Sequence, residues 1–341
     1  MNIRKGIFYV NNAGSNNVSV INTAINRVVK TLKVGRRPYD ITESPNLRFL
    51  YIGNRGSNNI SVIDTRINKV VNTIAVGKTP NDIDFNPNGK TIYVVNRGSN
   101  NISVVSIARG RVIATIKVGR RPETSSFTPD GKYYYVPNSG GNTVSVVDVA
   151  RSRLFQTIRV GNGPFQARVS PDGKSVYVCN RRSNTLSVIE VATNQVIKTI
   201  RVGRGPTKNY VSPDSKTIYV SNTLANTISA VNASTLRVVK TIRVGRAPRV
   251  GIFSPDGSLY YMANTRGNTI SVINVSTNNV INTVKVGRRP GIGRFTADGK
   301  FFYIPNAGSN TVSVIRVPGR PRVIDTISVG RRPVQGFMLT R

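Results

Sequence analysis

Short runs of β-branched and aromatic residues, such as Thr91–Val95 and Ile102–Val105, alternate along the chain with clusters of Gly, Asn, Pro, Ser and Asp. That pattern predicts strands separated by turns. It also repeats. A Tyr-x-x-Asn element places Asn12, Asn54, Asn96, Asn138, Asn180, Asn222, Asn264 and Asn306 at successive intervals of 42 residues. A second element, Val-Gly-x-x-Pro, ends at Pro38, Pro80, Pro122, Pro164, Pro206, Pro248, Pro290 and Pro333, at intervals of 42 six times and 43 once. The extra residue falls in the Pro/Gly-rich segment Arg316–Arg322.

Each repeat predicts four strands. Strand A follows the Val-Gly-x-x-Pro turn, as in Asn81–Phe85. A Pro-Asp-Gly-Lys type turn leads to strand B, which carries the Tyr-x-x-Asn. An Asn/Gly/Ser loop leads to strand C, as in Thr143–Val147, and strand D is the Thr-Ile-x-Val segment, as in Val112–Val118. Four antiparallel strands in a period of about 40–45 residues are the signature of a propeller blade. The chain starts in a strand B (Ile7–Asn11) and ends with a lone strand A (Val334–Thr340). The two ends are therefore expected to build one blade together. The expectation is an all-β, eight-bladed propeller of four-stranded antiparallel blades, closed by the C-terminal strand. It forms a single domain over 1–341, with blade 1 built from 6–34 plus 333–341.

The tetrapeptides YVVN, YVSN and YVPN, followed by NTVSVVD or NTISAVN and then TIRVG, resemble the YVTN-type β-propeller repeat of archaeal surface-layer and bacterial surface proteins. The resemblance covers nearly the whole chain. Where that repeat often has Thr, this chain has Asn11, Gly53, Val95, Pro137, Cys179, Ser221, Ala263 and Pro305. It implies a propeller with a surface or binding role, and it hands over no catalytic residue.

Composition narrows the chemistry. There are 341 residues, with 49 Lys plus Arg against 14 Asp plus Glu, a net charge of +35, and neither His nor Trp. Without histidine there is no Ser-His-Asp or Cys-His machinery and no His-ligated metal or haem. Cys179 alone forms no internal disulfide and no thiolate cluster. No run of about 18 apolar residues is present to span a bilayer. The first residues, MNIRKGIFYVNN, lack the apolar core of a signal peptide. The compartment is thus left open between the cell surface, for a mature form, and the cytoplasm. Ser19 and Thr31 have counterparts in every repeat. A nucleophile is needed once, not eight times, so cross-strand hydroxyl pairing is the expectation for them. The repeated Tyr are expected to pack between neighbouring sheets, and the Asp of the Pro-Asp-Gly turns to hold those turns.

In a four-strand meander the D–A and B–C loops share one face, and the A–B and C–D loops share the other. The D–A loops hold Arg36, Arg37, Lys78, Arg120, Arg121, Arg204, Arg246, Arg288, Arg289, Arg331 and Arg332. The B–C loops add Arg55, Arg97, Arg181, Arg182 and Arg266, and neither set of loops contains an acid. Lys and Arg are also frequent on strand D, where they discourage edge-to-edge aggregation. Arg4, Lys5 and Arg341 lie at the termini. Arginine suits bidentate capture of phosphate, sulfate or carboxylate. The D–A face is therefore the expected polyanion-binding surface, with Arg36, Arg37, Arg55, Lys78, Arg97, Arg120, Arg121, Arg181, Arg204, Arg246, Arg288, Arg289, Arg331 and Arg332 as its residues.

Strand A is expected to line a central channel, and there the repeats diverge. Asp40, Glu43, Asp82, Asp84 and Glu123 fall on three consecutive A strands, with Arg168, Lys208, Arg249 and Arg294 on the others. Carboxylates so grouped could hold Ca²⁺, but no calcium-loop motif supports that. Ion pairing with D–A arginines such as Arg37 and Arg121 is the expectation. The expected function is non-enzymatic: a binding or scaffold propeller, without cofactor or metal, whose partner is an anionic polymer or an acidic protein. A self-assembling surface propeller, or a designed or consensus propeller without a native ligand, stands as the alternative.

Overall fold

The computed structural model describes residues 6–317 and 319–339. Every described element is a β-strand, and the strands form eight four-stranded antiparallel sheets in the order A-B-C-D. The fold is an eight-bladed β-propeller. Blade 2 is typical, with strands Pro38–Glu43, Phe49–Asn54, Asn59–Asp64 and Lys69–Ala75. In blade 1 the C-terminal strand Pro333–Leu339 supplies strand A and pairs with Ile7–Asn12, as the two chain ends predicted. Thr340 and Arg341, the last residues assigned to that strand from sequence, and Arg4 and Lys5 lie outside the described residues. The blades fall into two compact units, blades 7, 8, 1 and 2 and blades 3 to 6. The divisions lie within blade 2, around Asn58–Thr73, and at Thr241/Ile242 in blade 6.

The repeated residues join blade to blade within each unit. In blades 3 to 6 the Tyr135 hydroxyl donates to Asn194 Oδ1 at 2.6 Å, one blade further on. In the other unit Tyr303 does the same to Asn26. The eight asparagines of Tyr-x-x-Asn are fully buried. Asn138 Nδ2 donates to Ser145 Oγ (2.9 Å) and Thr143 Oγ1 (3.1 Å), and the same serine accepts from the N–H of Gly119, in the loop of the preceding blade. A β-carbon on Gly119 would stand 2.6 Å from the Asn138 amide, so only glycine fits there. The strand C serine is thus the acceptor of an Asn–Ser–Gly lock. This corrects the expected pairing with the strand D threonine: Ser19 and Thr31 are opposite in register, but Thr31 is exposed and Ser19 serves Asn12. The turn aspartates behave as expected. Asp130, for instance, accepts from the N–H of Lys132 at 2.9 Å.

Two blades depart from the plan. Strand A is cut to Ser126–Phe127 in blade 4 and to Arg294–Phe295 in blade 8. These are the blades with Pro137 and Pro305 on strand B. In the others, the residue at that position pairs with strand A, as Val95 does with Asp82. Proline has no N–H to give the ladder. The freed segment turns to the next blade instead: Thr124 bridges Gln166 and Ile292 bridges Gln335, both in parallel.

Candidate functional site

The D–A and B–C loops of each blade are tied to one another by backbone hydrogen bonds. In the unit of blades 7, 8, 1 and 2, Gly56 N–H donates to Arg36 C=O at 2.8 Å and Gly308 N–H to Arg288 C=O at 2.8 Å. In blades 3 to 6, Gly98 donates to Lys78 and Arg182 to Asn162. The D–A loop is held from the other side as well. The N–H of Arg36 donates to Ser57 Oγ, and that of Arg37 to Asn16 Oδ1, each at 2.9 Å. Arg37, Arg121, Arg289 and Arg332 sit in the left-handed region with φ of 53 to 56°. Non-glycine residues seldom take that conformation, and here the side-chain cap on the N–H holds it.

The loop backbone is therefore fixed, and its polar groups are used. What reaches solvent is side chain. Arg36, Arg37, Arg246, Arg288, Arg289, Arg331 and Arg332 are exposed in one unit, and Lys78, Arg120, Arg121, Arg181 and Arg204 in the other. Among the described residues, none of these side chains forms an ion pair with a carboxylate. Arg120 donates to the Gly140 carbonyl.

Two candidates are placed differently. The Arg55 guanidinium lies over the Tyr39 ring, 3.0 Å from its centroid, and Tyr39 Oη also accepts from Arg249 at 3.4 Å. Arg97 is half-buried, and its Nε donates to Glu123 Oε1 at 2.8 Å. Glu123, only 4% exposed, also accepts from Ser139 Oγ and Asn81 Nδ2. Arg97, from a B–C loop, thus takes the place expected of Arg121. The repeat itself contains this signal, because Arg97 stands in the blade before Glu123.

Asp82 and Asp84 are also engaged. Asp82 Oδ2 accepts from the N–H (2.8 Å) and hydroxyl (3.0 Å) of Ser125. Tyr134, fully buried, donates to Asp84 Oδ2 at 2.7 Å and contacts Ser125 Oγ. Burial first, then the charges of Asp84 and Asp82, raise the Tyr134 phenol well above its usual range, so it stays a donor. Ser125 and Tyr134 were not singled out from sequence, since their partners are 43 and 50 residues away. In the other unit, Asp40 pairs with Gly53 in the ladder, and Glu43 with Leu50. Among the described residues no group of three or more Asp, Glu or Cys stands close enough to hold a metal ion.

Cys179 lies on strand B of blade 5, fully buried, and Asn209 Nδ2 approaches its sulfur at 3.4 Å. Burial pushes its thiol up to about 12. Thiolate is the reactive form. A disulfide reagent at about pH 8, near the ordinary thiol value, is therefore expected to leave the folded protein unmodified and to modify one thiol per chain on unfolding. Rapid titration of the native protein would show that Cys179 becomes accessible.

No curated protein matches the sequence. Similar solved structures include the hydrazine synthase of Kuenenia stuttgartiensis, at 25% identity and TM-score 0.67, covering 82% of this chain and 95% of that one. The dihydro-heme d1 dehydrogenase NirN is 14% identical with TM-score 0.85, over 98% and 75% of the two chains. A functionally unknown protein of Desulfotomaculum acetoxidans is 15% identical with TM-score 0.67, over 98% and 99%. The last two show the fold alone. The 7-bladed β-propeller lactonase family matches residues 7–115, although the blades here number eight. The YNCE-like β-propeller family matches residues 124–218 and 212–338, well over half of the sequence. Both are propeller families, as the repeat implies. The chain belongs to the YNCE-like β-propeller family.

Proposed function

We propose that this protein is a non-enzymatic binding propeller that engages polyanions through the arginines of its D–A loops. One observation carries the reading. The D–A arginines are exposed on loops whose backbone is fixed, and among the described residues they have no carboxylate partner. With the N–H groups of Arg36 and Arg37 already donating to side-chain acceptors, an anion is met by guanidinium groups and not by a backbone nest. Arginine pairs such as Arg36/Arg37 and Arg288/Arg289 suit bidentate contact with phosphate or sulfate. Repetition from blade to blade suits a polymer better than a small ligand. The named similar enzymes do not bring their chemistry with the fold, since function resides in sites grafted onto a scaffold. The sequence here has no histidine for acid–base work or metal ligation.

The test is elution from heparin and from duplex DNA as salt rises, where the logarithm of affinity falls linearly with that of salt at a slope set by the phosphates engaged. Changing Arg36, Arg120, Arg288 and Arg331 to Glu is expected to lower the elution salt sharply and to reduce the slope by about one for each phosphate no longer engaged. The same change at the exposed Arg27, Arg109, Lys216 and Lys300, in the other loops and on strand D, is expected to have a much smaller effect. Equal loss from both sets would overturn the assignment to the D–A loops.

A further inference from the structure

Strand D carries a second feature that polyanion binding does not use. In its pairing with strand C the register skips one residue: Val29, Ile113, Phe155, Ile197, Ile281 and Ile324 are bulge residues that oppose no partner. All are apolar, and each is between 37% and 55% exposed. A bulge breaks the ladder and tilts the strand edge, so a protein strand is a poor fit to it.

In the unit of blades 3 to 6, the D strands Arg111–Lys117, Arg153–Arg159 and Gln195–Arg201 lie side by side. They bring together exposed Ile113, Leu154, Phe155 and Ile197, with six Lys or Arg and no acid among the strand residues. The acids opposite the first residues of two of these strands are occupied: Asp148 by Arg151 at 2.8 Å and Glu190 by Thr193. Blade 4 is the most apolar. Phe155, 51% exposed, stacks on Tyr133 with ring centroids 5.7 Å apart, and Lys132 lies 5.3 Å from the Tyr133 centroid.

We propose that this strip docks on an anionic lipid bilayer, with Leu154 and Phe155 entering among the headgroups and the flanking cations meeting lipid phosphates. Charge decides the occupant. A second copy of the chain would set Arg153 and Arg159 against their own kind. A soluble polyanion would satisfy the cations but leave the leucine and phenylalanine in water. An anionic bilayer satisfies both, because interfacial binding sums buried apolar area and attraction to acidic lipids.

The lack of native tryptophan provides a clean probe. Phe155→Trp is titrated with vesicles of phosphatidylcholine containing about 25% phosphatidylglycerol, an acidic lipid. A blue shift is expected that pure phosphatidylcholine does not produce. Leu224→Trp, in an exposed B–C loop next to Arg204, is expected to show none. The double variant Leu154→Ser/Phe155→Ser is expected to bind those vesicles at least about tenfold less, as removing two roughly half-exposed apolar side chains implies, while eluting from heparin at the parent salt concentration. No shift at position 155, or an equal shift at position 224, would overturn the proposal, as would unchanged vesicle binding of the double variant. Heparin elution reads the arginine loops separately, so the two readings fail independently.

Discussion

A chain ended after Arg332 is expected to lose its cooperative fold. The strand so removed, Pro333–Leu339, supplies strand A of blade 1, and it pairs with Ile7–Asn12 from Ile7↔Leu339 to Asn12↔Pro333. Phe337, Met338 and Leu339 on it are 6%, 8% and 2% exposed and pack into two apolar clusters with Phe8, Tyr9 and Val10. At about 1.5–3 kcal/mol for each buried side chain, the three alone contribute roughly 5–9 kcal/mol. The whole stability of a domain is about 5–15 kcal/mol. Gln335 adds a hydrogen bond from its N–H to Asn11 Oδ1 and another from Nε2 to the Ile41 carbonyl, and removing them would leave buried acceptors unpaired. Calorimetry and near-ultraviolet dichroism of the truncated chain check this. A cooperative transition within a few degrees of the full chain would show that the strand adds little.

Gly251→Ala is expected to lower stability measurably, although it adds only one methyl group. A β-carbon at Gly251, on strand A of blade 7 (Pro248–Phe253), would overlap the ring of Tyr260 on strand B. Gly293 and Gly336 face Phe302 and Phe8 in the same way. Other blades fill the same site differently: Ala167 accompanies Val176, Ile83 accompanies Ile92, and Ser125 bonds to Tyr134. Size on one strand thus answers size on the other. Overpacking a filled core costs about 1–3 kcal/mol and occasionally more, and near 2–4 °C of Tm accompanies each kcal/mol in larger domains. A fall in Tm of several degrees is expected for Gly251→Ala. Adding Tyr260→Val, which recreates the Ala/Val pair of blade 5, is expected to recover part of it, and the cycle of four proteins measures the coupling. Additive losses would show that the two positions do not share one space.

Much of the fold is legible because the chain states it eight times. The position of Asn138 or Ser145 means little once, but recurrence at 42 residues marks each as a fixed place in a blade. The sorting of charge was legible for the same reason: a meander assigns each loop to an end, and the hydrogen bonds between Gly56 and Arg36 or Gly308 and Arg288 follow that assignment. The candidate site was less so. Arg97 and Glu123 read as members of separate groups, one for a polyanion and one at a channel, yet they form a single half-buried ion pair. Ser145 read as a partner for threonine, while its hydroxyl serves an asparagine and a glycine from two different blades.

The sequence by itself determined the blade, the blade count and the joining of the two chain ends. These rest on local strand and turn preferences repeated at constant spacing, and local preferences add up along a repeat. Tertiary structure alone decided which polar groups meet and which remain exposed. Pro137 and Pro305 could be seen to weaken a ladder, but only the neighbouring blade shows that Thr124 and Ile292 bridge to Gln166 and Gln335 instead. The pairing of Arg97 with Glu123, the stacking of Arg55 on Tyr39 and the outward bulge of Phe155 likewise depend on residues from different strands. The physical reason is range: a strand forms from its own residues, whereas a charge or an apolar side chain takes its meaning from what folding places beside it.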